Sequence, residues 1–215
     1  MKHNITRIKE QLIDYPNAHI VAATKYIDDK KMRELYSYGI NEFGENRVEA
    51  FIEKYENLND LPIIWHFIGT LQTKKVKKII NNIDYLHSLD NLKLAEEINK
   101  RRTSPLKVFI QVNISDEENK HGLEIHEVPE FLLSIKQFEN IEVIGLMGMA
   151  RLTDEKEIIK SEFLKLTHLQ ESIKKNLNIN ITELSIGMSN DYLVALECNA
   201  TYLRLGSVLL KNEVK

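Results

Sequence analysis

Cysteine is almost absent from this sequence. Cys198 is the only one in 215 residues, so no disulfide can form within the chain and a disulfide-stapled scaffold is excluded. That usage suits a reducing compartment, and a cytoplasmic protein is the expectation. An excess of one charge sign is also lacking. Lys and Arg total 29 against 32 Asp and Glu, a formal net charge of −3, which gives no global reason to expect nucleic acid or an anionic membrane as partner. No apolar run approaches the roughly 20 residues that a bilayer-spanning helix needs. The opening MKHNITRIKEQLIDY is too polar for a secretory signal and instead spaces Ile5, Ile8 and Leu12 as a helix does. Glycine is sparse, at 8 residues, and no glycine-rich phosphate loop follows the first strand candidate, which argues against an open dinucleotide-binding sheet.

What is present is a strict alternation. With 43% of its residues hydrophobic, the chain can bury one sizeable core, and residues 1–215 are read as a single domain. Strand candidates are HIVAAT, NEFGEN, IIWHFIG, YLHSLD, LKVFIQVN, IEVIGLMGMA, ITELSIGM and TYLRLGSVLL. Helical stretches separate them, from DDKKMRELYSYG, with Asp28 as N-cap and Gly39 just past its end, to DYLVALECN before the last strand. Pro16, Pro62 and Pro105 each precede a strand, while Pro129 suits the first turn of a helix. Eight strands alternating with helices predict an α/β fold, a (β/α)8 TIM barrel with an extra N-terminal helix.

A barrel of this kind gathers its chemistry at the C-terminal ends of its strands. Lys25 closes the first strand, Asn46 the second and Asn113 the fifth, while His66 lies within the third. Ser189 follows the seventh, and Arg204, Gly206 and Ser207 lie within and after the eighth. A strand-end lysine that is partly buried becomes a nucleophilic amine, because burial disfavours its charged form. Taken alone, Lys25 is better read as a solvated loop lysine. Ser189 reads as N-cap of the following helix, whose free N–H groups favour an anion, and Gly206 and Ser207 would add donors. An ordinary cap and a strand-end glycine account for the same residues. Arg204, between Leu203 and Leu205, needs an acceptor if it points inward, or else a structural carboxylate partner.

In order, VAATK (21–25), FGENRVEAF (43–51), WHFIGTLQTKK (65–75), VNISDEENKHG (112–122), GLMGMA (145–150), LSIGMSND (184–191) and TYLRLGS (201–207) resemble the pyridoxal-phosphate homeostasis protein family, relatives of the N-terminal barrel of alanine racemase. The resemblance covers nearly the whole chain. It implies a pyridoxal 5′-phosphate cofactor held as a Schiff base on Lys25. It also implies that Arg204 faces the pyridine nitrogen, that Ser189, Gly206 and Ser207 hold the phosphate, and that Asn46 is a further contact. The chain departs from the family pattern at Thr73 and Lys74, at Gly148, at Asn199, where a glycine is usual, and in the tail LLKNEVK.

The resemblance further implies cofactor storage and delivery rather than turnover, with apo forms of pyridoxal-phosphate enzymes as recipients and a monomer or weak homodimer as the expected state. An arginine beside the pyridine nitrogen discourages its protonation and makes the ring a poor electron sink. The racemase relatives add a second domain that supplies a tyrosine base, for which this chain is expected to have no room after its last strand. The alternative is a racemase-like enzyme using Lys25 and an unidentified base. An RNA-binding reading of Lys74, Lys75, Lys77 and Lys78 yields to a solvated helix face, because Val76, Ile79 and Ile80 mark the buried side. His121 and His126 near Asp116, Glu117 and Glu118 have no recognised metal-ligand spacing.

Overall fold

The computed structural model describes residues 1–115 and 121–210. Its strands are β1 (His19–Ala23), β2 (Glu42–Glu45), β3 (Ile64–Phe67), β4 (Tyr85–Leu89), β5 (Leu106–Gln111), β6 (Ile141–Met147), β7 (Glu183–Met188) and β8 (Tyr202–Leu205). They pair in parallel, in chain order, and β1 closes on β8. Helix α1 (Lys2–Gln11) precedes the barrel. The connecting helices are α2 (Asp29–Ser37), α3 (Val48–Asn57), α4 (Val76–Ile79), α5 (Leu92–Arg101), α6 (Val128–Ile135), α7 (Lys156–Leu177) and α8 (Tyr192–Glu197), with α9 (Ser207–Leu210) after β8. This is the expected (β/α)8 barrel with its N-terminal helix. Asp28 caps α2 by accepting the Lys31 amide at 2.9 Å, and Gly39 takes φ +78° after it.

Local outcomes differ from expectation at two places. The run TYLRLGSVLL does not stay extended: β8 stops at Leu205 and residues 207–210 wind into α9. The Ser189 hydroxyl accepts from the Gly206 and Val208 amides at 3.0 and 3.3 Å, which pulls the chain out of the barrel there. TKKVKKIINN breaks into a 3-10 turn (Thr73–Lys75) and the single turn of α4, though Val76, Ile79 and Ile80 are buried as the pattern required. Asn199 has φ +64°, a left-handed conformation that asparagine tolerates better than most residues, which accounts for its place where a glycine is the expected residue. Asp116, Glu117 and Glu118 and the tail beyond Leu210 lie outside the described residues.

Most apolar burial lies between barrel and helices, where residues such as Phe43, Phe51, Phe67 and Phe163 are inaccessible. A separate cluster of Val21, Phe109, Met147 and Tyr202 fills the barrel itself. Tyr202 of β8 meets Phe109 of β5 and His87 of β4, which are not its neighbours in the sheet, so these contacts cross the lumen. A polar file runs through the same lumen. His19 Nδ1 lies 2.7 Å from Glu42 Oε1, and His66 Nε2 lies 3.0 Å from Glu42 Oε2 in a poorly aligned contact. His66 Nδ1 is 2.9 Å from His87 Nε2, and His87 Nδ1 is 2.8 Å from Ser185 Oγ.

Near the mouth, a second buried polar group ties α3 to the barrel. Lys54 Nζ donates to Glu45 Oε1 at 2.5 Å and to the Thr24 carbonyl at 2.6 Å, and Thr24 Oγ1 donates to the same carboxylate at 2.7 Å. Glu45 is fully buried, so removing its cation strands a charge away from water. Lys54→Met should therefore cost about 3–5 kcal/mol, measured by urea unfolding; a loss below about 1 kcal/mol would contradict this assignment.

Acid sensitivity follows from the lumen. Glu42 is lowered to about 2, against an ordinary 4.5: burial pushes it up, but the hydrogen bond to His19 and the close contact with His66 pull it down further. A folded-state value below the unfolded one stabilises the fold above pH 4.5 and is lost as the pH falls towards 2. Burial also lowers His66 and His87, so their contribution fades on acidification below about pH 6.5. His19, raised mainly by its bond to Glu42, acts in the opposite sense and loses its contribution as the pH rises. Asp84, Glu183 and Lys107 face the histidines and modulate them. The unfolding free energy should fall between pH 4.5 and 3, and Glu42→Gln should flatten that segment. Parallel curves for the two proteins would contradict the assignment.

Candidate functional site

A cavity of about 610 Å³ opens at the C-terminal mouth of the barrel. Lys25, Asn46, Ser189, Arg204, Gly206 and Ser207 all line it, although they come from β1, β2, β7 and β8 or the turns that follow them. Its volume lies in the usual range for small-molecule sites, about 300–1,000 Å³.

Lys25 stands two residues beyond β1, in a turn. Of the two readings of Lys25, a partly buried amine and a solvated loop lysine, the second describes its position. Its side chain is exposed, with Nζ 4.6 Å from the centroid of the Tyr26 ring, because the chain turns outward after Thr24. Asn46 directly follows β2, and its amide donates to Glu45 Oε2 at 3.2 Å. Its Oδ1 is buried without a hydrogen-bond partner among the described residues, an acceptor left for something else. The end of β3 packs tightly on this residue: a Cβ at Gly69 would lie 2.2 Å from the Asn46 carbonyl oxygen. Glycine is thus required at 69 to hold Asn46 at the mouth.

Arg204 points inward rather than into the helix layer and is 5% exposed. Nη1 donates to the Ser185 carbonyl and hydroxyl, both at 2.6 Å, and Nη2 donates to the Gly148 carbonyl at 2.9 Å. A structural salt bridge, left open by the sequence, is not how it is satisfied; these contacts are all to neutral oxygens. Burial pushes its pKa down to about 10, partly offset by Asp191, so the guanidinium stays charged at neutral pH.

Ser189 does not cap α8, as the sequence reading had it. That helix begins three residues later, at Tyr192, with Asp191 at the cap position, and the Asp191 carboxylate accepts the Met188 amide at 2.5 Å. Ser189 instead turns its hydroxyl to the backbone at Gly206 and Val208, so three expected site residues do meet in one corner. Packing does not demand glycine at 206, since a Cβ there would sit at an ordinary 3.7 Å from Ala23.

His66 is not at the mouth; it is buried in the lumen below. Asn113 also lies off the cavity lining. Of the tyrosines, Tyr26 is exposed at the rim, Tyr192 donates its hydroxyl to Gln11 at 2.7 Å, and Tyr202 is buried in the lumen. Cys198 and Trp65 are core residues, and Met149 and Met188 are cavity wall. Sequence reasoning missed Arg151 and Asp191, which also line the cavity. The Arg151 amide and Nε donate to Glu162 at 2.7 and 2.6 Å, which anchors the loop after β6 beside the mouth. Polar residues in strand-end turns were the available signal for both.

Known proteins resemble this chain in sequence and in fold. The family model described as "Alanine racemase, N-terminal domain" matches residues 1–213. A pyridoxal phosphate homeostasis protein of Aquifex aeolicus is 38% identical over 195 residues, covering 89% of this chain and 86% of the relative. Among solved structures, PipY of Synechococcus elongatus with PLP bound superposes with a TM-score of 0.89 at 28% identity, over 98% of this chain and 99% of that one. The alanine racemase of Clostridium difficile shares the fold, with a TM-score of 0.83 at 14% identity, and this chain covers 57% of it. By family match, identity and fold together, the chain belongs to the pyridoxal phosphate homeostasis protein family, within the fold family of the alanine racemase N-terminal domain.

Proposed function

We propose that residues 1–215 form one domain that binds pyridoxal 5′-phosphate at this mouth as a Schiff base on Lys25, stores it in the cytoplasm and delivers it to apo-enzymes. The observation that carries this reading is the convergence of Lys25, Asn46, Ser189, Arg204, Gly206 and Ser207 on one cavity. The cavity suits the cofactor's chemistry. Lys25 supplies an amine accessible to an aldehyde. Ser189 and Ser207 supply hydroxyl groups for a phosphate, next to Gly206, whose amide is given to Ser189 in this geometry, and Arg204 brings a fixed positive charge. Ile68, Met149 and Met188 offer apolar walls for a flat ring, and Asn46 Oδ1 has an unused lone pair to offer a donor.

The same geometry supports custody over turnover. When bound, the cofactor supplies an electrophilic aldehyde and a conjugated ring that acts as an electron sink when its nitrogen is protonated. Arg204 has donors only and is held by Ser185 and Gly148, so it cannot protonate that nitrogen in the way a carboxylic acid would. The rim, where Lys25 and Tyr26 are exposed, lets cofactor enter and leave.

Two outcomes are expected. Purified protein with added pyridoxal phosphate should show a visible absorption band that Lys25→Ala lacks; equal bands in the two would remove Lys25 from the reading. A racemase-like enzyme is the second reading, favoured by Tyr26 beside Lys25. Deuterium exchange at Cα across an amino-acid panel should not exceed that with free cofactor, and exchange abolished by Tyr26→Phe would favour the enzyme instead.

A further inference from the structure

The buried polar file in the lumen leads from the opposite end of the barrel to the guanidinium at the mouth. Its links are Glu42 Oε2 to His66 Nε2 at 3.0 Å, His66 Nδ1 to His87 Nε2 at 2.9 Å, and His87 Nδ1 to Ser185 Oγ at 2.8 Å. The last link is Ser185 Oγ to Arg204 Nη1 at 2.6 Å. Both histidines are wholly buried. Glu42 and His19 also line a second cavity, of about 290 Å³, at the far end, so the file runs from one mouth towards the other.

Its polarity is decided by its ends. A guanidinium can only donate and a carboxylate can only accept. Arg204 donates to Ser185 Oγ, so the serine proton is free to point at His87 Nδ1, which then carries no hydrogen. Neutral His87 therefore holds its proton on Nε2 and donates to His66 Nδ1. Neutral His66 holds its proton on Nε2, facing Glu42. The three hydrogen bonds run in one direction, and the file ends in the close contact of His66 Nε2 with Glu42. The reverse order needs an imidazolium at His66 and leaves the serine proton without a partner.

We propose that Glu42 is a second, remote counter-ion of Arg204 in addition to Asp191, and that His66, His87 and Ser185 are positioning residues that transmit its charge and fix the guanidinium at the ligand cavity. Hydrogen bonds in series polarise one another in a low-dielectric interior, so Glu42, in close contact with His66 at the end of the series, adds to the support that Asp191 already gives the buried cation. The relay stands on the ligand-free geometry. Only its effect on affinity rests on the pyridoxal-phosphate reading.

Imidazole and guanidinium 15N resonances of the ligand-free protein test the relay without a binding assay. At neutral pH, His66 and His87 should both be neutral with the proton on Nε2, and Glu42→Gln should shift the Arg204 guanidinium resonances. An Nδ1–H tautomer at His87, an imidazolium at His66, or unmoved Arg204 resonances would each overturn the proposal. The second measurement is a double-mutant cycle on pyridoxal-phosphate affinity. Glu42→Gln should weaken binding roughly 5-fold or more beside Arg204 and much less beside Arg204→Lys; sites without a shared network would give additive effects, and additivity would overturn the coupling. If the wild type does not bind the cofactor, the proposed function fails, and the resonances alone decide the relay.

Discussion

The constraint on which this structure turns is a guanidinium buried in the last strand of a barrel. Taking Arg204 out of water is costly unless its donors are met, and three neutral oxygens on β7 and just beyond β6 meet them. The surroundings of the mouth follow from that need. Ser185 must point into the lumen, the carbonyl of Gly148 must turn inward where β6 ends, and a polar path must enter an otherwise apolar interior. The cost of that path is offset by close aromatic packing: Tyr85 stacks on His66 at 4.4 Å and Phe109 on His87 at 4.4 Å.

The opposite wall of the cavity rests on a different buried charge. Glu45, at the end of β2, gathers the Lys54 ammonium, the Thr24 hydroxyl and the Asn46 amide on one carboxylate. Thr24 and Asn46 flank the departure points of the two turns that carry Lys25 and the orphan Asn46 Oδ1. One buried network thus sets where β1 and β2 release their chains, and another sets where β8 presents its cation. The cavity lies between two rigid supports, which is what preorganises a site whose contacting groups sit on turns.

Much of this was legible in the residues. The alternation of short apolar runs with helical patterns, punctuated by prolines before strands, carried the barrel. Motifs in family order carried the six residues that the fold assembles at one mouth. The failures have local causes. Gly206 and Ser207 follow an apolar strand and precede another apolar run, so the pattern could not show that Ser189 would bend the chain into α9. Ser189 looked like a helix cap because Asp191, the residue at the cap position, follows closely in the same turn. Lys25 left two readings open, buried amine or solvated loop lysine, because the pattern could not show that the turn after Thr24 swings it outward. His87 and Ser185 were passed over because a single polar residue in an apolar strand reveals neither the strand face it occupies nor the partner across the lumen. Their partnership spans 98 residues and exists only once the sheet closes.

The central claim is that this mouth binds an aldehyde cofactor through one lysine among many. Borohydride reduction of protein saturated with pyridoxal phosphate, followed by intact-mass and peptide-mass measurement, tests it most directly. The account expects a single added phosphopyridoxyl group, confined to the peptide containing Lys25. Label spread over surface lysines, or none at Lys25 under saturating cofactor, would contradict it.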